Sequence, residues 1–177
     1  DGLAEAERRL DEALDLDPNH LPAVITMADI LYREEQWDRA ERRLNEALRR
    51  MRGQPEQTAK LYHRLGEVYE KLGRLDEGYR QLVEADRALP GQLMLCIALG
   101  ENRFQARRWR DAASHFEGIA EHAAAANYPE EVALALAHGA LAELRQKRPE
   151  RAAAMNEAAR KLSPHHPQTL RALADLA

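Results

Sequence analysis

The chain has 177 residues, of which 45% are hydrophobic and 32% charged, and its formal net charge is -4. Such a composition can bury a core, and it excludes a general electrostatic attraction to nucleic acid or to acidic membranes. Cys96 is the only cysteine, which excludes an intramolecular disulfide and a cysteine-based zinc cluster.

The predicted elements follow one another as helices, without a strand pattern. Residues 1–20 are predicted to form the second helix of a hairpin, ending at the turn residues around Pro18. Four helix hairpins follow, at about 21–54, 59–92, 93–126 and 132–166. Residues 167–177 are predicted to form a first helix without its second, with Leu170 and Leu173 at core positions. We expect these elements to form one array over residues 1–177.

The hairpin at 59–92 has the clearest pattern. Apolar and small residues recur at helical spacing on one face of each of its helices. They are Tyr62, Leu65, Gly66 and Tyr69 in the first helix, and Gly78, Leu82 and Ala85 in the second. Gly73 lies in the turn, and Pro90 cannot continue the second helix. Glycine is expected where the two helices touch, because a missing Cβ lets their backbones approach.

The pattern repeats along the chain. The small residues that open the second helices are Ala6, Ala40, Gly78, Ala112 and Ala152, at intervals of 34, 38, 34 and 40 residues. The large residues predicted to pack on the turns are Leu3, Trp37, Leu75 and Trp109, and Pro149 breaks this series. The longer intervals place extra residues around 54–58 and 121–130. In the last hairpin, Leu136, Gly139 and Ala140 align with the first helices in a register that stays open by one residue.

These residues resemble the tetratricopeptide repeat. The resemblance implies an all-α fold: a right-handed α-solenoid of stacked antiparallel helix hairpins. It also implies protein–protein interaction, although repeats of this family bind many unrelated partners. Neither end of the sequence carries a polar cap, which indicates either a fragment of a longer array or ends that pair with another copy.

Signals for catalysis or metal binding are weak. Ser114 adjoins His115, but adjacent helical residues point in different directions, so a nucleophile–base pair is not predicted. His115 and His122 are seven residues apart and are expected to lie on one helical stretch. His165 and His166 lie beside prolines. We interpret these histidines as surface residues and Cys96 as a small buried hydrophobe. No catalytic residue, metal site or cofactor is expected.

The resemblance implies that the opposite side of each first helix faces a concave groove. Aromatic and long charged side chains on that side suit a bound peptide or helical segment, with Tyr32 and Phe104 for stacking and Arg33 and Arg64 as donors. The predicted groove residues are Ile25, Asp29, Tyr32, Arg33, Lys60, His63, Arg64, Glu67, Lys71, Met94, Ile97, Glu101, Phe104 and Gln105. Leu141, Leu144 and Arg145 join them if the last register holds. Solvation of a helix explains any one of the charged residues, whereas the whole surface favours binding.

The predicted function is a non-catalytic interaction module for a protein or peptide partner, in a cytoplasmic setting. Two alternatives stay open: a self-associating structural scaffold, and a substrate-presenting arm of a larger enzyme. Asp29, Glu67 and Glu101 would repel a C-terminal carboxylate, which excludes the carboxylate-clamp type of repeat. No membrane partner is expected. A basic edge along the helix-connecting turns, from Arg33 to Arg148, is explained by the helix dipole or by an acidic partner, and nucleic-acid binding there is disfavoured by the negative net charge.

Overall fold

The structure is a computed structural model that describes residues 2–51 and 53–165, without the side chain of Leu3. The chain divides into two compact units, residues 1–90 and 91–177. The predicted helix at 167–177, with Leu170 and Leu173, lies outside the described residues, as does His166.

Unit 1 contains five α-helices in its described residues. They are α1 (Gly2–Leu16), α2 (Leu21–Arg33), α3 (Trp37–Arg50), α4 (Pro55–Lys71) and α5 (Leu75–Ala88). The described part of unit 2 contains α6 (Leu93–Gln105), α7 (Trp109–Phe116), α8 (Pro129–Arg145) and α9 (Pro149–Leu162). Two short 3-10 helices, Ile119–Glu121 and Ala125–Asn127, lie between α7 and α8. We call α2, α4, α6 and α8 the A helices, and α3, α5, α7 and α9 the B helices.

All four A–B turns share one hydrogen-bonding pattern. The backbone N–H of the third residue after each A helix donates to a carbonyl five residues earlier, as in a Schellman motif. The bonds are Gln36 to Leu31, Arg74 to Tyr69 and Arg108 to Arg103, each 2.8 Å, and Arg148 to Glu143, 3.0 Å. The residue before each donor has a left-handed backbone, with φ of 59° at Glu35, 72° at Gly73, 56° at Arg107 and 61° at Lys147.

This turn decides the register of the last hairpin. The carbonyls of Tyr69 and Glu143 accept equivalent bonds, so Ala140 in α8 corresponds to Gly66 in α4. The alignment of Leu136, Gly139 and Ala140 with the earlier first helices is therefore correct.

The hairpin cores follow from this register. In unit 1, a Cβ added to Gly66 would lie 2.8 Å from Leu82, so glycine is needed for α4 and α5 to pack this closely. In unit 2, Phe116 is fully buried, and its ring would lie 2.3 Å from a Cβ added to Gly100. Cys96 is partly buried and packs against the same cluster.

The expectation of one helical stretch from His115 to His122 is wrong. Helix α7 ends at Phe116, and Gly118 then adopts a left-handed conformation with φ of 79°, which stops an α-helix. Ile119 is still buried, at 3% exposure, but it lies in a 3-10 helix. The extra residues predicted around 121–130 thus begin at Glu117, and α8 starts at Pro129, where a proline fits the first turn.

Candidate functional site

The predicted groove residues of unit 1 lie on α2 and α4. Helical spacing places Ile25, Asp29 and Tyr32 in one row and Lys60, His63, Arg64, Glu67 and Lys71 on the neighbouring helix. Most of these side chains are half-buried, whereas Arg33, Lys60 and Lys71 are exposed. We call this set, with Arg33, the unit-1 A face.

An ion network joins the two helices of the unit-1 A face. The Arg64 guanidinium lies 2.8 Å from Glu67 and 3.3 Å from Asp29, which is on the neighbouring A helix. About a third of each side chain is exposed, so the network is open to solvent and contributes little to stability. The Arg64 guanidinium is therefore paired with two carboxylates of its own chain. The sequence did not predict this pairing.

Two further contacts order this face. The Lys71 ammonium lies 5.7 Å from the centre of the Tyr32 ring, a cation–π distance. Burial lowers the pKa of His63 below its ordinary value, and the charge of Arg64 adds to this effect while that of Glu67 opposes it. The net effect favours the neutral imidazole of His63 over its charged form.

The predicted residues of unit 2 behave less uniformly. Met94 and Gln105 on α6 are exposed, and Glu101 and Phe104 are half-buried. Ile97 is only 8% exposed and belongs to the core of unit 2, so it does not lie on the surface as expected. Leu141 and Leu144 on α8 are half-buried, and Arg145 is exposed.

His138 on α8 completes this face and was missed by sequence reasoning. Its Nδ1 lies 2.7 Å from a carboxylate oxygen of Glu101, and its ring stacks on Phe104 with centroids 4.6 Å apart. Phe104 in turn meets Trp109 edge to face at 5.3 Å. We call Met94, Glu101, Phe104, Gln105 and His138 the unit-2 A face.

The pairs on the two faces occupy equivalent positions. Each carboxylate residue, Asp29 or Glu101, directly follows the small residue of its own A helix. Each partner residue, Arg64 or His138, lies two residues before the equivalent small residue of the next A helix. A cation or imidazole on one A helix therefore meets a carboxylate on the preceding A helix in both units. These equivalent positions were already present in the repeat alignment, but recognising them required the register of α8.

In the described residues, no group of three or more His, Cys, Asp or Glu side chains could hold a metal ion. None of the described helices is long and apolar enough to cross a membrane.

The fold is an all-α solenoid of helical hairpins. Residues 3–62 match the family model of the tetratricopeptide repeat. No curated protein sequence matches the chain significantly.

Solved structures extend this likeness over almost the whole chain. YrrB, described as a TPR protein with an unusual peptide-binding site, is 21% identical with a TM-score of 0.74, and the match covers 97% of this chain and 83% of YrrB. Pseudomonas aeruginosa PilF is 17% identical with a TM-score of 0.72, over 95% of this chain and 72% of PilF. BtubC (BKLC) from P. vanneervenii is 18% identical with a TM-score of 0.76, over 99% of this chain and 80% of BtubC.

Residues 3–62 therefore match the tetratricopeptide-repeat family, and the fold of solved repeat proteins extends over both units. Repeats of this family generally mediate protein–protein interaction and are typically non-catalytic scaffolds.

Proposed function

We propose that this chain is a non-catalytic interaction module that binds a peptide or helical segment of a partner protein on the A faces. The repeat fold supports protein binding in general, and YrrB is one repeat protein described as having a peptide-binding site. The choice of surface is carried by one observation, the side-chain pairs that join neighbouring A helices in each unit.

These pairs favour binding because they order side chains before a partner arrives. Arg64 is held by Asp29 and Glu67, and His138 is held by Glu101 and Phe104. A side chain that is already fixed loses less conformational entropy on binding than a mobile one. Partly exposed and ordered groups of this kind are thus suited to recognition.

The charges on the A faces restrict the partner. Asp29, Glu67 and Glu101 place carboxylates along these faces, which disfavours a partner that presents a C-terminal carboxylate there. The exposed Lys60 and Lys71 ammonium groups flank the unit-1 network and can pair with acidic side chains of a bound segment. Met94, 39% exposed, offers an apolar contact in unit 2.

The proposal is tested by selecting ligands from a random peptide display library and mapping the bound peptide by NMR. We expect the amide shifts of the unit-1 A face to change, while those around Arg42 and Arg80, which are exposed on B helices, stay in place. The Lys60→Glu/Lys71→Glu variant should bind about tenfold more weakly.

The matched control reverses two charges on the B helices instead. Arg42→Glu/Arg80→Glu changes the net charge of the chain by the same amount but should leave the affinity unaltered. Equal losses in both variants, or shifts confined to the B helices, would overturn the A faces as the binding surface.

A further inference from the structure

The A–B turns carry different charge in the two units. Each turn is compared over a window of seven residues, from two before the left-handed residue to four after it. In unit 1 these windows are 33–39 and 71–77, and together they contain four basic and five acidic residues. The same windows in unit 2, 105–111 and 145–151, contain seven basic and two acidic residues. The helix dipole favours cations at every helix C terminus alike, so it does not explain an excess confined to unit 2.

The basic residues of the unit-1 turns are partly engaged within the chain. Arg39 lies 3.0 Å from Glu7, and Lys71 lies over the Tyr32 ring. Arg74 lies between Glu41 at 2.8 Å and Glu77 at 2.6 Å. Arg33 is exposed and makes no such contact with a described residue, and the Lys71 ammonium is exposed as well, so two of the four cations of these turns remain available to a partner.

The turns of unit 2 leave more of their cations unengaged. Arg148 and Arg151 reach the buried Glu143 carboxylate at 3.6 and 3.5 Å. Four other basic side chains are exposed and make no ion pair with any described residue: Arg107, Arg110, Arg145 and Lys147.

A hydrogen bond places the two turns of unit 2 side by side. The Gln146 side-chain amide donates to the backbone carbonyl of Trp109, at 3.2 Å. Arg110 follows Trp109 in the sequence, and Arg145 and Lys147 flank Gln146. We call Arg107, Arg110, Arg145 and Lys147 the basic turn surface.

Two of these cations occupy backbone positions that favour glycine. Arg107 and Lys147 have φ of 56° and 61°, where unit 1 has Gly73 in its second turn. The left-handed region is unfavourable for residues with a Cβ. Glu35 has the same left-handed backbone in the first turn of unit 1, so what distinguishes the turns of unit 2 at this position is the positive charge of the side chain.

We propose that the basic turn surface binds an acidic polypeptide segment of a partner, separately from the A faces. Three of its four members are arginines, whose planar guanidinium groups can each bind a carboxylate through two hydrogen bonds. An acidic polypeptide fits better than single-stranded nucleic acid, which gains affinity by stacking bases on exposed aromatic rings. The aromatic ring of these turns, Trp109, is instead half-buried and packed edge to face with Phe104.

The test is fluorescence anisotropy with a labelled oligoglutamate peptide, at low and high salt. The decisive variant is Arg107→Gly/Lys147→Gly, because it removes two charges and also relieves two left-handed residues. We expect about tenfold weaker binding of the peptide together with a raised melting temperature, so loss of folding cannot explain the loss of binding. Glu35→Gly, at the equivalent turn position of unit 1, relieves the same backbone strain and should leave the affinity unaltered.

Three results would overturn the proposal. The first is parent-like affinity in the Arg107→Gly/Lys147→Gly variant, and the second is no salt-sensitive binding of oligoglutamate to the parent. The third is tighter binding of a single-stranded oligothymidine of equal charge, which would assign the surface to nucleic acid instead.

Discussion

The two units build the same hairpin around different anchors. In unit 1, the B-helix residue that fills the space beside the A-helix glycine is Leu82, on a helix of 14 residues. In unit 2 it is Phe116, the last residue of a helix of only 8 residues. The A–B turn and the cross-helix carboxylate pair are equivalent in both units. The repeat thus specifies turn and register, while the size of the anchor and the length of the B helix can vary around them.

The largest expected effect is on the anchor of unit 2. Phe116→Ala should lower the free energy of unfolding by about 4 kcal/mol, because it empties a fully buried ring site, and Leu82→Ala should cost about 3 kcal/mol. The two tryptophans report on the units separately, since Trp37 belongs to unit 1 and Trp109 to unit 2. Denaturant unfolding of single-tryptophan variants therefore measures each loss. A cost below about 1 kcal/mol for Phe116→Ala would contradict its role as anchor.

The glycines opposite these anchors sharpen the comparison. A Cβ at Gly100 would lie 2.3 to 2.7 Å from three atoms of the Phe116 ring, whereas at Gly66 it would meet the Leu82 side chain at 2.8 Å. We expect Gly100→Ala to lower the free energy of unfolding by about 2 kcal/mol and Gly66→Ala by about 1 kcal/mol. The Leu82 side chain can shift away from an added methyl group more readily than the Phe116 ring can. The same fluorescence titrations measure both. The reverse order would show that the Phe116 side is the more adaptable one.

The turns predict opposite effects in the two units. Gly73→Ala should lower stability by about 1 kcal/mol, because it places a Cβ on a left-handed residue, and Arg107→Gly should raise stability by a similar amount. Melting temperatures compared at equal ionic strength measure both changes. A destabilised Arg107→Gly variant would mean that this side chain makes a contact that outweighs its backbone strain.

The smallest expected effect is a pH dependence in unit 1. Burial lowers the pKa of His63 in the folded chain, so below about pH 6.5 the unfolded chain binds the extra proton more readily. The stability associated with neutral His63 is therefore present at neutral pH and declines as the pH falls through that value. His63→Gln should flatten this decline in melting temperature between neutral and mildly acidic pH. His165→Gln, which changes an exposed histidine, serves as the control and should retain the parent slope.

Part of the candidate site was predictable and part was not. Helical spacing placed Asp29, Tyr32 and Arg64 on adjoining A helices, where the structure has them. Ile97 was assigned to the surface because α6 is apolar on more than one side, with Leu93, Leu95 and Leu99 also buried. Periodicity cannot choose a buried face for such a helix. His138 was missed because its equivalence to Arg64 becomes visible only in the register of α8, which the sequence left open by one residue.

What the sequence alone determined was the repeat. The recurrence of small and large residues at intervals of 34 to 40 residues defined the hairpins, because every unit must bury the same face against its neighbours. The tertiary structure decided where α7 ends, which side chains pair between A helices, and which residues take the left-handed turn position. These depend on close contacts between residues far apart in the sequence, such as Gly100 with Phe116 and Glu101 with His138. Local preferences contain no information about such contacts. The left-handed backbone of Arg107 and Lys147 even goes against the conformational preference of residues with a Cβ.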